Sequence, residues 1–350
     1  MTPLAPTVGV VLANHNNGAY IEKAIESAAR QTVRDIRVMV IDDASTDGSQ
    51  EAIRRCLSRL DDRRFRYIGL DVNVGQSGAL RRGLVELDTP LVCFLDSDDV
   101  WYEAFIARHI EAHMNADFPV ALSYCDSHIM DANDRLLAGT AWWFDSQSAD
   151  PPTGPVNQLR LPKLDPETGR LSFPRNPEMS FQPQWSPGSG TNSTAGMMLR
   201  RSFVDLVLVR PDNELPLYVD FYLSTCACLL TGAIAIHEAL YAYRMHGRNK
   251  HSNAVVMGGA YNSSTRPWEP VRLSVLQMVY ATLQSEAHAI QSAFGQDRHA
   301  LAMAEVAKAI GLMDEPKSSG GMLETLLGRT VRSSSNGRRP FDRPHPTRSP

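Results

Sequence analysis

Three carboxylates stand within four residues at Asp96, Asp98 and Asp99, directly after the apolar run at residues 91–95. In extended backbone, side chains at i and i+2 share one face, so Asp96 and Asp98 can point together. Carboxylate oxygens bind hard cations such as Mg²⁺ or Mn²⁺, which take their other ligands from phosphate oxygens. A cation held there would neutralise the charge that builds up on a departing diphosphate. Solvated turns and helix caps show the same spacing. The position of the triplet in the fold therefore has to distinguish a cation site from these.

Short apolar runs predict buried strands at residues 8–13, 36–41, 65–69 and 91–95. Helical spacing lies between them, at residues 19–31, after a turn at 45–48, and at 77–87. This alternation predicts βαβ units and a parallel sheet. In such sheets ligands bind beyond the carboxyl ends of the strands. The polar residues that follow three of the strands, at 14–16, 42–43 and 96–99, should therefore gather in one place.

Composition limits the class of protein. The chain has 350 residues, 43% of them hydrophobic, and a net charge of −4, which excludes a globally basic nucleic-acid partner. The longest apolar stretch, at 223–236, is interrupted by polar residues and is too short to span a bilayer. We see no signal peptide at the N-terminus, and the five cysteines lack zinc-like spacing. We therefore expect a cytoplasmic protein.

The remainder of the chain divides into distinct segments. A proline-dense stretch at 141–190, with Trp142, Trp143 and Trp185, predicts a long loop or flap that forms one wall of an acceptor site. Residues 256–313 predict a helical extension with a break near Gly295, and residues 314–350 a disordered basic tail. The apolar stripe of the extension leaves three partners open: the domain at 1–255, a second copy in a homodimer, or peripheral association with a membrane surface.

Ordered motifs between residues 7 and 250 resemble those of the family-2 glycosyltransferases. The motifs are VGVVLANHNN at 8–17, VMVIDDASTDGS at 38–49, NVG at 73–75, LDSDD at 95–99, TAGMMLRRS at 194–202 and YRMHGRN at 243–249. The resemblance implies a GT-A fold of the α/β class, with a Rossmann-like, mostly parallel central sheet flanked by helices. It also implies an inverting transferase that moves a sugar from a nucleotide-sugar donor to a carbohydrate or lipid-linked hydroxyl acceptor, in polysaccharide, glycolipid or glycoprotein synthesis.

The resemblance assigns the donor site to residues after the strands. His15 is expected to stack on the base, and Asp43 to accept a hydrogen bond from a ring N–H, which favours a UDP- or dTDP-sugar. Asp96 is expected near the ribose, and Asn14 and Asn73 complete the nucleotide site. Of the acidic pair at 42–43, we expect the first to be the one nearer to a capping role.

The same resemblance assigns the diphosphate and metal side. Mn²⁺ or Mg²⁺ is expected on Asp98, with Asp99 supporting or sharing it and their ranking left open. His246 is expected near the diphosphate as a third ligand, since a neutral imidazole binds Mn²⁺. Arg244 is expected to be either a phosphate contact or a packing residue.

Inversion requires a base that deprotonates the acceptor hydroxyl. The family's acid pair is matched only by Val219-Asp220, so Asp220 is the candidate, at the start of an apolar helix. Asp212 and Glu214 are fallbacks in a proline-bounded loop. The pattern also departs from the family at Ala44, where glycine is usual, and at Leu80-Arg81, so no donor-phosphate contact is carried over there.

The sequence leaves two rival functions to compare with the transferase. A nucleotidyltransferase would be expected to carry a glycine-rich, basic loop after the first strand, and residues 13–18 hold one glycine and no basic residue. A catalytically silent, glycosyltransferase-like binding module would be expected to lose its acids. Here the acids at positions 43, 96, 98 and 220 are all present. The sequence therefore favours the transferase.

Overall fold

The computed structural model describes residues 4–139, 163–164, 166, 171–172, 179–182, 193–208, 218–249 and 268–312. The strands are β1 Val8–Asn14, β2 Ile36–Asp42, β3 Phe65–Gly69, β4 Leu91–Asp96, β5 Val100–Trp101, β6 Leu122–Asp131, β7 Leu136–Ala138, β8 Lys163–Leu164, β9 Leu171–Ser172, β10 Met179–Gln182, β11 Met197–Arg200 and β12 Ala233–Met245. The helices are α1 Ile21–Ala29, α2 Ser49–Leu60, α3 Gly75–Val85, α4 Phe105–Asn115, α5 Arg201–Val207, α6 Val219–Leu230, α7 Trp268–Ser285, α8 Ala287–Phe294 and α9 Gln296–Ala309, with a 3₁₀ turn at Thr194–Gly196.

One mixed sheet runs through the protein in the order β10-β12-β6-β11-β4-β1-β2-β3, with β5 on β12 and β7 on β6. Strands β1 to β4 are parallel where they pair, as predicted, and β12 is parallel to β6. Strand β11 is antiparallel to both β4 and β6, so β6 runs in the same direction as β4. The predicted α/β architecture with a central sheet and flanking helices is confirmed. Strand β11 separates the parallel strands β1 to β4 from the parallel pair β6 and β12, on which β5, β7 and β10 are antiparallel.

Alternating side chains of the central strands build a core on each face of the sheet. Val10 and Val38 belong to the core that α1, α2 and α4 cover, whereas Val11 and Met39 belong to the core that α3 and α6 cover. Helix α3 approaches the sheet so closely that a Cβ on Gly83 would lie 2.4 Å from Cγ1 of Val11. Only glycine permits this approach, which brings the last turns of α3 against β1.

The C-terminal helices pack on the domain that carries the motifs. Leu276, Val279 and Leu283 of α7 are fully buried in the same core as Tyr222 of α6. The Tyr222 hydroxyl donates to the carbonyl of Val207 at 2.6 Å and lies 2.8 Å from the Thr282 hydroxyl. The apolar stripe that the sequence left open is therefore covered by the chain's own domain.

Several sequence predictions concern residues that the structure does not describe. Most of the segment at 141–190, including its three tryptophans, lies outside the described residues, and so do 250–267 and 314–350. Within the described part of the chain, none of the helices has the length and apolar character needed to cross a membrane.

Candidate functional site

The carboxyl ends of β1, β2 and β4 lie at one level of the sheet. Asn14 pairs with Asp42 in the ladder between β1 and β2, and Ala13 pairs with Asp96 in the ladder between β1 and β4. Asn14 is buried, and its amide donates to Oδ1 of Asp42 at 2.7 Å and to the Ser45 hydroxyl at 3.1 Å. The polar residues that follow the strands are thus brought together, and the Asn14 side chain links the end of β1 to Asp42 and Ser45 through hydrogen bonds.

We expected Asp42 rather than Asp43 to be nearer to a capping role, and the structure shows the reverse. Asp43, not Asp42, caps a helix: its two oxygens accept the backbone N–H groups of Val74 at 2.7 Å and Gly75 at 2.9 Å, at the N-terminus of α3. Asp42 is fully buried and accepts from the backbone N–H of Ser45 at 3.0 Å. The capping bonds fix the Asp43 carboxylate, and each of its oxygens keeps a lone pair for a further donor.

The His15 side chain is exposed and lies beside Asp43. Its Nδ1 lies 2.7 Å from the carbonyl oxygen of Asp43. Because a carbonyl only accepts, Nδ1 carries the proton. The amide nitrogen of Asn73 lies 3.1 Å from Nδ1 and 3.2 Å from Nε2 of the same ring. The structure therefore brings His15, Asp43 and Asn73 together as one polar wall, with the imidazole fixed by a main-chain contact.

Asp96 ends β4 and is held from two sides. Gln76 donates from Nε2 to Oδ1 at 2.9 Å, and the hydroxyl of Thr194 donates to Oδ2 at 3.0 Å. Burial, and next the negative charge of Asp98, raise the pKa of Asp96 to about 7. Sequence reasoning did not assign Gln76 or Thr194 to the site, because both contacts arise from tertiary packing.

The Asp98 and Asp99 side chains face different partners. Asp98 is partly exposed, and its Oδ2 lies 3.0 Å from Nε2 of His246. Asp99 is 1% exposed, and its Oδ1 accepts the backbone N–H of Arg244 at 2.9 Å. Burial, then Asp98 and Asp96, raise the pKa of Asp99 well above its usual range. Its Oδ2 is buried with no hydrogen-bond partner.

These groups fit a hard divalent cation. The cluster provides carboxylate oxygens, among them the buried and unpaired Oδ2 of Asp99, and a cation would relieve the mutual repulsion that raises the pKa values. Among the residues that the structure describes, no three His, Cys, Asp or Glu side chains form a ready-made metal-binding group. Asp98 and Asp99 would hold the cation together with oxygens of the ligand.

Arg244 makes packing contacts behind the acidic loop. Its side chain is fully buried. Nε donates to the carbonyl of Asp98 at 2.7 Å, and Nη1 to Oδ1 of Asp134 at 2.6 Å. The guanidinium also lies over the ring of Tyr20, 4.7 Å from its centroid. These contacts hold the guanidinium against the acidic loop and Asp134, and its Nη2 is buried with no hydrogen-bond partner.

Asp220 lies in the first turn of α6. Its Oδ1 accepts the backbone N–H of Phe221 at 2.8 Å, and burial raises its pKa to about 6. The negative charge of Asp220 also contributes to the raised pKa of Asp96, after burial and the charge of Asp98. Tyr218, just before the helix, has φ +87°, a strained value for a bulky residue. The fallback acids at 212 and 214 lie outside the described residues.

Comparisons with known proteins identify the family of the chain. A family model described as Glycosyl transferase family 2 matches residues 9–205. An uncharacterised glycosyltransferase of Nostoc sp. is 27% identical over 247 residues, 71% of this chain and 67% of that protein. The beta-1,3-glucosyltransferase WfaP of Escherichia coli, named for UDP-Glc and alpha-D-GlcNAc-diphosphoundecaprenol, is 30% identical over 132 residues, 38% of this chain and 49% of that protein. A putative teichuronic acid biosynthesis glycosyltransferase of Bacillus subtilis is 30% identical over 114 residues, 33% of this chain and 44% of that protein.

The match thus spans two thirds of the Nostoc protein and less than half of the other two relatives. Among solved structures, S. aureus TarS 1–349 in complex with UDP has a TM-score of 0.49 at 13% identity, over 92% of this chain and 78% of that one. The mannosyltransferase PcManGT of Pyrobaculum calidifontis, in complex with GDP-Man and Mn²⁺, has a TM-score of 0.48 at 17% identity, over 93% and 79%.

Proposed function

The chain belongs to glycosyl transferase family 2, and we propose that it transfers a sugar from a UDP- or dTDP-sugar to a hydroxyl of a carbohydrate or lipid-linked acceptor, with inversion at the anomeric carbon. Its α/β architecture is the GT-A fold expected of that family. The relatives named for teichuronic acid and for an undecaprenol-linked sugar support a role in polysaccharide or glycolipid synthesis. For a lipid-linked acceptor, the proposed location is the cytoplasmic face of a membrane.

The donor nucleotide is proposed to bind beyond the ends of β1 and β2. Asp43 would accept the ring N–H of uracil or thymine with the lone pairs that the capping bonds leave free. His15 and Asn73 would contact the base at the exposed edge of this donor site. Asn14 fixes its buried side through the bond to Asp42. Adenine has no ring N–H at the corresponding edge, which supports uracil or thymine over adenine.

The diphosphate is proposed to lie against Asp98 and Asp99. A bound Mn²⁺ or Mg²⁺ would supply charge neutralisation for the leaving nucleoside diphosphate. Asp96, fixed by Gln76 and Thr194, would orient the ribose. Donor atoms are thereby held in a fixed geometry before the reaction, which lowers the entropic part of the barrier.

The observation that carries the proposal is the gathering of polar and acidic side chains at the carboxyl ends of β1, β2 and β4. The base is proposed to be Asp220, in the first turn of α6. Asp220 would take the proton of the acceptor hydroxyl while that oxygen bonds to the anomeric carbon and the bond to the diphosphate oxygen breaks. With a pKa of about 6, the carboxylate is largely ionised at pH 7 and still basic enough to accept the proton. The acceptor would enter from the Asp220 side, with the proline-dense segment at 141–190 as its second wall.

Donor turnover tests this proposal. Purified protein is incubated with UDP-, dTDP- and GDP-sugars, each with and without Mn²⁺, and released nucleotide is measured for wild type, Asp98→Asn and the exposed control Asp88→Asn. We expect release from a pyrimidine donor with Mn²⁺, a loss of about 10²-fold or more in Asp98→Asn, and wild-type rates in Asp88→Asn. Equal, background release by wild type and Asp98→Asn from every donor would refute the enzymatic function. Release from GDP-sugars alone would refute the base assignment.

A further inference from the structure

The turn between β6 and β7 holds one residue in a backbone conformation that favours glycine. Asp134 has φ +67°, in the left-handed region. The shape of the turn depends on Asp131, whose Oδ1 accepts the backbone N–H groups of Asn133 at 2.8 Å and Arg135 at 2.9 Å. The Asp134 carboxylate bonds instead to two side chains outside the turn. Its contribution therefore lies in those contacts, because a glycine would fit the backbone better.

The two side chains that Asp134 contacts are both basic. Its Oδ1 accepts from Nη1 of Arg244 in β12 at 2.6 Å, and its Oδ2 accepts from Nζ of Lys23 in α1. The Arg244 side chain is fully buried, whereas the Lys23 side chain is 47% exposed. Water screens the charge of an exposed ammonium group, but it does not reach a buried guanidinium. The carboxylate is therefore needed chiefly as the counterion of Arg244.

The guanidinium of Arg244 lies directly behind the acidic loop. Its Nε donates to the carbonyl of Asp98 at 2.7 Å, and the backbone N–H of the same residue donates to Oδ1 of Asp99 at 2.9 Å. A buried positive charge without a counterion would be attracted to those two carboxylates and would repel a cation bound by them. The ion pair with Asp134 opposes both effects, because it holds Nη1 at the β6–β7 turn and offsets the charge.

We propose that Asp134 is a positioning residue for the cation site: it fixes and neutralises the Arg244 guanidinium, so that the acidic loop keeps its carboxylates for a divalent cation. This inference rests on the proposed function, because Asp98 and Asp99 are the proposed cation ligands. Asp134 acts through Arg244, since its carboxylate contacts the guanidinium. Removal of the Asp134 charge should therefore weaken cation binding although every ligand oxygen stays in place.

The first experiment measures the Kd of Mn²⁺ in the presence of UDP, by electron paramagnetic resonance of the free ion. Asp134→Asn keeps an oxygen that can accept from Arg244 and suits the left-handed conformation, and Asp134→Gly suits it better still. Both remove the charge, so Kd should rise about tenfold in both. Two exposed charges serve as controls: Lys23→Met and Asp88→Asn should stay within about threefold of wild type. A role confined to the turn would instead leave Asp134→Gly at the wild-type Kd.

The second experiment separates positioning of the cation site from general support of the fold. Nucleotide release from the UDP- or dTDP-sugar that wild type uses fastest is measured over a range of Mn²⁺ concentrations. In Asp134→Asn the Mn²⁺ concentration for half the maximal rate should rise about tenfold, with kcat at saturating Mn²⁺ within about threefold of wild type.

Two results would overturn the inference and leave the proposed function standing. One is a wild-type Kd for Mn²⁺ in both Asp134→Asn and Asp134→Gly. The other is a fall in kcat that saturating Mn²⁺ does not restore in either variant. A wild type that neither binds Mn²⁺ nor releases nucleotide would overturn the proposed function together with the inference.

Discussion

Replacing Asp96 by asparagine should stabilise the cation-free protein at neutral pH while it impairs donor turnover. The carboxylate is held where burial and the charges of Asp98 and Asp220 oppose its ionisation. An asparagine is almost the same size, and its amide oxygen can accept from Gln76 while its amide nitrogen donates to the hydroxyl oxygen of Thr194. The substitution therefore removes the charge and keeps both hydrogen bonds.

The pKa shift sets the size of the effect. The pKa of Asp96 rises from 3.8 to about 7 on folding, and each pKa unit corresponds to about 1.4 kcal/mol. Above pH 7 the group is ionised in both states, so the folded state bears a cost of up to about 4 kcal/mol. Local relaxation reduces this, and we expect a gain of about 2 kcal/mol for the variant at pH 7.5. Because the folded pKa is the higher one, protonation favours folding, and this stabilisation is lost as the pH rises through 7.

Urea unfolding at several pH values measures this difference. The midpoint of Asp96→Asn should exceed that of wild type at pH 7.5, and the gap should close as the pH falls toward about 4, where the carboxyl group is protonated in both states. Asp88→Asn, which removes a charge from an exposed turn, serves as the control for net charge. A variant that is no more stable than wild type at pH 7.5, or a gain independent of pH, would show that Asp96 is not held against its ionisation.

The value of kcat/KM should fall about tenfold per pH unit below about pH 6, because the proposed base Asp220 is protonated there. Asp220→Asn should lose transfer activity and this dependence on acid pH. The same acid dependence in that variant would mean that another residue is the base. Gly83→Ala should destabilise the protein by about 2 kcal/mol, because its methyl group would overlap Val11, and thermal unfolding would measure it; an unchanged midpoint would contradict the close approach of α3 to β1. Tyr222→Phe should cost about 1 kcal/mol in urea unfolding, since it removes the hydroxyl that donates to the carbonyl of Val207 and contacts Thr282, and an unchanged midpoint would contradict a stabilising role for these contacts.

The strands of the first half were predictable because each is a short apolar run between turns. The predicted spans 8–13 and 36–41 differ from Val8–Asn14 and Ile36–Asp42 by one residue at their ends. The pattern of one buried face predicted the helices at 268–312, but not the break at Glu286, where no glycine or proline marks the chain. Periodicity thus located the elements and some of their ends.

The contacts around the acidic loop were not predictable from local pattern. The cap that Asp43 provides joins residues 31 apart, and the bond between Thr194 and Asp96 joins residues 98 apart. The stacking of Tyr20 on His246 was not predictable either, because it depends on how β12 returns to the sheet. Motif order predicted which polar residues lie near the strand ends, whereas packing decides what each one touches.

The bond from the Arg244 amide to Asp99 spans 145 residues, and that from His246 to Asp98 spans 148. During synthesis the acidic loop therefore emerges long before the strand that fixes it. Until β12 docks, the carboxylates of the loop lack both the amide and the imidazole that orient them. Contacts of such high sequence separation form late in folding, because closing a long loop costs chain entropy before the contact compensates for it. The proposed cation site would thus be one of the last parts of the protein to mature, and a chain truncated before residue 240 would carry the acidic motif without its proper geometry.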